Sequence, residues 1–345
     1  MVFNRGAGTR NWATDALLAA ILLLGGCASA PQIQQLLATP GDLPARAELT
    51  STPFFPQEQY QCGPAALATA LKQSGVEIDA RSLVNEIYLP SRLGSLQIEI
   101  LASTRRHGRL PYRISPDMRS LLTEVAAGNP VLVLQNLGLS WSPQWHYAVV
   151  VGFDFHRQEI ILRSGSDQRH ITDMNTFELT WARSRYWGIV VMSANRLPAS
   201  ANADDYLRTV VDFENTQTTK QQWRIIHSAY RTALSRWPHN LVAQMGLGNS
   251  AYRLGDLAKA AEAFATAVRD HPNAAAAHNN LAQVLLEQKK LPEAEQQARR
   301  AVELGGPYLE SYQRTLADIQ QAQQSLSPLP TTTSPADSGQ RSAVR

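Results

Sequence analysis

The stretch Gln57-Glu-Gln-Tyr-Gln-Cys62-Gly-Pro-Ala-Ala-Leu-Ala-Thr-Ala-Leu71 decides how the first half of this chain is interpreted. A polar segment leads to a cysteine, and the apolar, alanine-rich run after it predicts a helix over 63–73. Pro64 suits the first turn of that helix, and Gly63 leaves room beside the sulfur. Because the N–H groups and dipole of a helix N-terminus favour a thiolate, we expect Cys62 to be a nucleophile with a lowered pKa. The alternative is a small buried apolar residue, which the polar residues before Cys62 argue against.

A second stretch, His146-Tyr-Ala-Val-Val-Val-Gly-Phe-Asp154, begins 84 residues after Cys62 and has the composition of a buried strand. It places an imidazole at the start of the strand, and imidazole is the usual base for a catalytic thiol. Helices are predicted over 63–73, 81–87, 96–107, 116–127 and 177–183, and strands over 130–135, 146–151, 159–162 and 187–192. Helices that precede an antiparallel sheet predict an α+β domain over 51–195.

The motif Cys62-Gly-Pro-Ala, with Gln57 before it and the His146 strand after it, resembles the papain-like cysteine peptidases. The resemblance is strongest to the bacteriocin-processing peptidases that cleave double-glycine leaders, and it covers roughly 54–191. It implies that Cys62 is the nucleophile and His146 the base, with Gln57 and the backbone N–H of Cys62 forming the oxyanion hole. The family's glutamine usually lies one residue earlier, where this chain has Pro56, so Gln59 and Gln61 are alternative oxyanion donors.

The third catalytic residue departs from the family pattern. The family usually has Asp or Asn about one strand after the histidine, and Ser164 occupies that place here. A hydroxyl can orient an imidazole, but it does not balance the charge of an imidazolium as a carboxylate does. Asp167 and Asp154 are therefore the alternatives for this role.

Two tryptophans, Trp141 and Trp145, precede His146 in a polar loop. Aromatic side chains beside a catalytic strand are typical of a substrate groove. Packing in the core or anchoring of the loop is the alternative. We expect Trp181, farther along the chain, to pack in the core beside the last strand.

The N-terminus has the pattern of an export signal. Two arginines precede an apolar run of 11 residues, Ala16–Gly26, where a membrane-spanning helix needs about 20. The small residues before Cys27 resemble a bacterial lipobox, which implies removal of residues 1–26 and lipidation of Cys27. Ala28 follows the cysteine, and by resemblance to lipoprotein sorting this implies the outer membrane, facing the periplasm. Residues 27–50 are rich in proline and polar residues and are interpreted as a tether.

From about 205 to 324 the chain is nearly all helical and repeats with a period of 34, as from Pro238 to Pro272. The stretch 241–274 resembles a tetratricopeptide repeat most closely; 275–308 and 207–240 match more weakly, and 309–323 would be the capping helix. This predicts a module that binds a protein partner, the alternative being a helical prop for the first domain. The tail 325–345 has the composition of a disordered segment.

The composition excludes several other classes of protein. The 345 residues include 32 basic and 29 acidic side chains, and a net charge of +3 gives no case for nucleic-acid binding. Two cysteines cannot form a disulfide scaffold, and no metal-binding or phosphate-binding motif is present, so we expect no metal or cofactor.

The sequence therefore predicts a membrane-anchored cysteine peptidase, with a peptide or protein substrate and helical repeats that recruit substrate or partner. The alternative is a catalytically weak or inactive peptidase-like adaptor that binds peptides. A weaker third hypothesis is another acyl-transfer reaction on the same thiol.

Overall fold

The computed structural model describes residues 30–57, 61–216 and 219–326. These residues form two compact units: the first runs to Ser193 and includes Pro198–Asn202, and the second contains Ala194–Leu197 and the chain from Ala203 onward. In the first unit the helices are α1 (Pro31–Ala38), α2 (Cys62–Gln73), α3 (Ala80–Ile87), α4 (Gln97–Arg106), α5 (Met118–Ala126) and α6 (Met174–Ala182). The strands are β1 (Arg46–Glu48), β2 (Leu110–Arg113), β3 (Val131–Asn136), β4 (Trp145–Asp154), β5 (Glu159–Ser164), β6 (Asp167–Asp173) and β7 (Gly188–Met192).

The strands form one antiparallel sheet in the order β2-β7-β3-β4-β5-β6, and β1 also pairs with β4. The central strand β4 pairs with β3, where Gln135 lies opposite His146, and with β5. A β-bulge lies between Val150 and Gly152, where β1 crosses closely: a Cβ atom on Gly152 would lie 2.8 Å from the carbonyl oxygen of Ala47. Glycine is therefore required at the point where the three strands meet.

Helix α2 packs in the centre of this unit. Its residues from Gly63 to Leu71 are all buried, and Leu67 and Leu71 pack with Leu132, Val149 and Ile189 of the sheet. Because the helix is apolar on all sides, it is stable only where other elements surround it. The packing fixes the position of its first residue, Cys62, against the sheet. Trp181 is fully buried, as predicted.

The interpretation of 27–50 as a tether is wrong for the described part of that segment. Ile33 and Leu36 of α1 are buried, and the backbone N–H groups of Gln32 and Ile33 donate to the buried Glu178 carboxylate. The segment then adds β1 to the sheet. Burial of two large apolar side chains and satisfied helix N-terminal donors hold the segment against the domain, although its proline content is typical of linkers.

Besides β1, the strands β2 and β6 were not predicted. In β2 a proline lies within a short edge strand, Leu110-Pro-Tyr-Arg113, and β6 is mostly polar, so neither has the alternating pattern of a half-buried strand. His170 lies in β6.

The second unit is a row of antiparallel helices: α7 (Ala203–Glu214), α8 (Lys220–Arg236), α9 (Leu241–Arg253), α10 (Leu257–Asp270), α11 (Ala275–Glu287), α12 (Leu291–Leu304) and α13 (Leu309–Leu326). Helix starts at Leu241 and Ala275 reproduce the predicted period of 34. Side chains of Asn240 and Asp256 cap the helices that follow them. Gly248 lies against the ring of Phe264, so small residues occur where paired helices approach each other.

The signal peptide, Cys27 and most of the tail from 325 lie outside the described residues, and α13 extends to Leu326. Among the residues that the structure describes, none of the helices is long and apolar enough to cross a bilayer.

Candidate active site

Cys62 is the first residue of α2 and lies half-buried at the wall of a cleft of about 1290 Å³. The backbone N–H groups of Cys62, Gly63 and Tyr147 face its sulfur. Helix α2 supplies the first two of these donors, and the start of β4 supplies the third. The sulfur is therefore surrounded by N–H groups that can also stabilise an anion formed beside it.

The pKa of the Cys62 thiol is raised, not lowered as the sequence led us to expect. Burial is the largest influence and disfavours the thiolate, while the three backbone N–H groups act in the opposite direction without overcoming it. The helix N-terminus is thus present as predicted, but desolvation outweighs it. The resting thiol is protonated at neutral pH.

His146 lies at the start of β4 and lines the same cleft as Cys62. Its Nε2 atom lies 2.8 Å from the Oγ atom of Ser164, at the end of the neighbouring strand β5. Ser164 therefore makes the contact with the imidazole that was predicted for a third site residue. With Nε2–H donating to the hydroxyl, Nδ1 is left as the basic nitrogen of the ring.

The pKa of His146 is lowered to about 4, mainly because burial disfavours the imidazolium, with a further contribution from the nearby His170. At neutral pH the ring is uncharged and able to accept a proton. A raised thiol pKa and a lowered imidazole pKa both favour a neutral Cys–His pair over a thiolate–imidazolium pair.

Gln57 reaches the site from the segment before α2. Its backbone N–H donates to the carbonyl oxygen of Gly165 at 3.0 Å, and its Nε2 lies 3.5 Å from the carbonyl oxygen of Tyr147. Gln57 lines the cleft together with Cys62 and His146. Gln61 directly precedes Cys62 but is not part of the cleft wall, and Gln59 lies outside the described residues.

A buried arginine holds the segment that leads to Gln57. The guanidinium of Arg163 donates to the carbonyl oxygens of Leu49, Thr50 and Thr52 on that segment, and to that of Gln168 in β6. Burial lowers the pKa of Arg163. This arginine fastens the entry segment to the hairpin that carries Ser164, a role that no local pattern in the sequence indicated.

The two alternative acids do not contact His146. Asp154 is at the opposite end of β4, eight residues from His146, which is roughly 26 Å along a strand. It accepts a hydrogen bond from the backbone N–H of Arg157. Asp167 begins β6 at the surface, with its carboxylate 3.5 Å from Nδ1 of His170 and 3.4 Å from the hydroxyl of Ser166. The expectation that either could replace Ser164 is therefore not supported by the geometry.

The two tryptophans differ in position. Trp145 is 52% exposed and lines the cleft beside His146, whereas Trp141 is 81% exposed at the tip of the preceding loop and is not part of the cleft wall. The backbone of that loop closes on itself between Leu139 and Ser142. Of these two tryptophans, Trp145 is the one placed where it can contact a ligand in the cleft.

Two residues of the site were missed by the sequence analysis. The Tyr147 hydroxyl donates to the carbonyl oxygen of Ser95 at 3.3 Å. The Ser95 Oγ atom is buried without a hydrogen-bond partner among the described residues, directly against Gly63. Tyr147 follows the histidine in the motif and could have been noticed, but Ser95 lies in a turn with no distinctive pattern.

Comparison with known protein families places this site in context. Residues 49–189 match the Peptidase_C39 like family. The matched range contains helices α2 to α6 and strands β2 to β6 of the first unit, together with Cys62, His146, Gln57 and Ser164. Residues 227–266 and 245–308 match the tetratricopeptide repeat. The chain therefore carries an N-terminal domain like that of the C39 peptidases, followed by a tetratricopeptide-repeat region.

Several solved structures are similar at low identity. One is described as a C39-like peptidase from Bacillus anthracis, which shares 16% sequence identity with this chain. The match covers 43% of this chain and 97% of that one, with a TM-score of 0.37. Another is the type III secretion translocator chaperone SycD of Yersinia enterocolitica: 16% identity, 36% and 89% coverage, TM-score 0.33. A third is the first tetratricopeptide domain of human RPAP3: 20% identity, 36% and 93% coverage, TM-score 0.32. A comparison with curated proteins gave no match.

Proposed function

We propose that this protein is a cysteine peptidase that hydrolyses peptide bonds at Cys62, assisted by His146. The observation that carries the proposal is the arrangement in one cleft of a cysteine at a helix N-terminus and a histidine whose Nε2 is bound to Ser164. The match of residues 49–189 to the Peptidase_C39 like family supports it.

In the first step, the Cys62 sulfur attacks the carbonyl carbon of the scissile bond while Nδ1 of His146 accepts the thiol proton. The thiol is protonated in the resting enzyme, so proton transfer accompanies attack. The negative charge on the carbonyl oxygen is stabilised by the Cys62 N–H and the Gln57 side-chain amide. The imidazolium then gives its proton to the leaving amine as the C–N bond breaks, which leaves an acyl-enzyme.

In the second step, water replaces the amine. Nδ1 of His146 accepts a proton from the water as its oxygen attacks the thioester carbon, and the proton returns to the departing sulfur. Ser164 keeps the ring oriented throughout, because its hydroxyl accepts from Nε2–H in both charge states. The C–S bond breaks, the product acid is released and the Cys62 thiol is regenerated.

The repeat region is proposed to recruit the substrate or a protein partner, because helical repeats provide an extended surface for binding. The proposal also includes a lipid anchor at Cys27 and a location on the outer membrane facing the periplasm, which rest on the signal and lipobox patterns. A double-glycine cleavage site is the finer hypothesis that follows from the resemblance to leader peptidases.

The test is hydrolysis of a peptide library by the full chain in detergent, read by mass spectrometry. Cleavage should require both reactive groups, and therefore be lost in Cys62→Ser and reduced at least a hundredfold in His146→Ala. His156→Ala, at an exposed turn at the far end of β4, is the matched control and should leave cleavage unchanged. Cleavage that persists in Cys62→Ser would refute the proposal and leave a peptide-binding adaptor.

A further inference from the structure

The cleft that holds Cys62 and His146 is lined by four arginines, and no aspartate or glutamate is part of its wall among the described residues. Arg92 comes from the turn before α4, Arg113 from the end of β2, and Arg183 and Arg185 from the segment after α6. The net charge of the whole chain is only +3, so this is a local concentration of positive charge. Field lines in a cleft with low-dielectric walls are focused on a bound ligand.

None of the four arginines forms an ion pair with a carboxylate of the described residues. Arg183 donates to the carbonyl oxygens of Asn136 at 3.0 Å and Gly138 at 2.7 Å, which anchor the loop before β4 but carry no net charge. The guanidinium groups of the other three arginines contact no polar partner in the part of the chain that the structure describes. Their charge is therefore available to a ligand.

Two arginines elsewhere in the same unit do form ion pairs with carboxylates. Arg169 makes a two-pronged contact with Glu48 at 2.7 and 3.0 Å, and Arg106 lies 3.3 Å from Glu86. The cleft is distinguished by having four arginines and no aspartate or glutamate among the described residues of its wall.

The same cleft is also apolar at its rim. Large apolar side chains that are exposed to solvent line it on both sides: Leu93, Leu96, Ile98, Leu137 and Trp145. Exposed apolar side chains grouped around a cleft mark a surface that is covered when a ligand binds. A ligand that fits this wall combines negative charge with large apolar groups.

We propose that the cleft selects peptide segments that carry aspartate or glutamate side chains next to large apolar residues. The inference rests on the proposed peptidase function and names its substrate class. Arginine is suited to binding acidic side chains because its planar guanidinium group donates two parallel N–H hydrogen bonds to one carboxylate. A peptide is favoured over another polyanion because the apolar rim and the thiol both face the same space.

The test measures binding separately from catalysis, using the full chain with Cys62→Ser. The probes are three fluorescein-labelled peptides of equal length and equal leucine and phenylalanine content, which carry glutamate, glutamine or lysine at the same positions. Fluorescence anisotropy should show the glutamate peptide binding about tenfold more tightly than the glutamine peptide, and the lysine peptide most weakly. The preference should weaken as salt is raised, because the arginines are exposed.

The combined variant Arg92→Gln, Arg113→Gln, Arg185→Gln should remove the preference for glutamate while leaving binding of the glutamine peptide unchanged. Arg183 is left in place because it anchors a loop. Arg157→Gln, on an exposed turn away from the cleft, is the matched control and should bind like the parent chain. Circular dichroism establishes that each variant is folded.

Equal binding of the three peptides would overturn the inference, as would a glutamate preference that survives the combined variant. Stronger binding of an oligothymidylate of equal charge would also overturn it, in favour of a general polyanion site. Peptide hydrolysis by the parent chain distinguishes this failure from that of the proposed function. Hydrolysis without a preference for glutamate would support the proposed peptidase function and reject the inferred substrate class. A preference for glutamate without hydrolysis would support the inferred binding of acidic peptides and reject the peptidase function.

Discussion

The Nε2 atom of His146 lies 2.8 Å from the hydroxyl oxygen of Ser164, although the two residues are 18 positions apart and on neighbouring strands. This contact fixes the ring so that Nδ1 is the nitrogen available to a thiol. A serine here orients the imidazole without supplying negative charge, which is consistent with a neutral resting site.

Substituting Ser164 should affect turnover more than substrate affinity. Ser164→Ala removes a hydrogen bond worth about 1 kcal/mol, so we expect kcat to fall about fivefold with KM nearly unchanged. Ser164→Thr keeps the hydroxyl and should retain most of the activity. Equal kcat values for Ser164→Ala and the parent chain would show that Ser164 has no role in turnover.

A carboxylate at the same place should move the pH profile in a defined direction. In Ser164→Asp the negative charge stabilises the imidazolium, so the pKa of His146 should rise from about 4. The acidic limb of the kcat/KM profile should therefore shift to higher pH in this variant. Measurement of kcat/KM across the acidic pH range tests the direction of this shift. If the acidic limb stayed at the same pH, the lowered pKa of His146 would be contradicted.

Alkylation should report the protonated resting thiol. In the full chain with Cys27→Ala, reaction of Cys62 with iodoacetamide should rise with pH through the alkaline range, because burial raises the thiol pKa above its ordinary value of 9.0. His146→Ala should leave this curve nearly unchanged. Rapid alkylation at acidic pH that depends on His146 would instead reveal a thiolate–imidazolium pair.

The oxyanion assignment can be decided between two glutamines. Gln57 lines the cleft and Gln61 does not, so Gln57→Ala should lower kcat about a hundredfold and Gln61→Ala should have little effect. Steady-state kinetics on one cleaved peptide makes the comparison. The opposite ranking would transfer the role to Gln61.

Close packing beside the nucleophile should be visible in stability. A Cβ atom on Gly63 would lie 2.5 Å from Oγ and 2.7 Å from Cβ of Ser95, so Gly63→Ala should lower the free energy of unfolding by about 1–3 kcal/mol. Ser95→Gly in the same chain removes both atoms and should restore most of the loss. Gly94→Ala, where the added carbon has space, is the control in denaturant unfolding.

The repeat region offers an equivalent test. A methyl group on Gly248 would overlap the ring of Phe264, so Gly248→Ala should destabilise this unit by about 1–3 kcal/mol. Val242→Ala, on the exposed side of the same helix, should change stability little. If Gly248→Ala left the free energy of unfolding unchanged, α9 and α10 would have to be able to move apart without loss of stability.

Much of the fold could be predicted because its signals are local. The apolar run after Cys62 indicated helix α2 to within one residue, and the period of 34 placed α9 and α11 at Leu241 and Ala275. Edge strands β2 and β6 could not be found this way, because a short proline-containing strand and a polar strand are defined by their partners. The segment at 30–48 was misinterpreted for the same reason, since only contact with Glu178 and β4 reveals that it is packed.

For the site, the sequence by itself predicted which groups would carry the proposed chemistry: a cysteine at a helix start, a histidine at a strand start and a glutamine upstream. Only the tertiary structure decided that Ser164, and neither Asp154 nor Asp167, contacts the histidine. It also decided that burial raises the pKa of the thiol, and that arginines from three separate segments line one cleft with no acidic side chain among its described residues. Motifs are encoded by neighbours along the chain, whereas desolvation and charge pairing depend on which distant residues fold together.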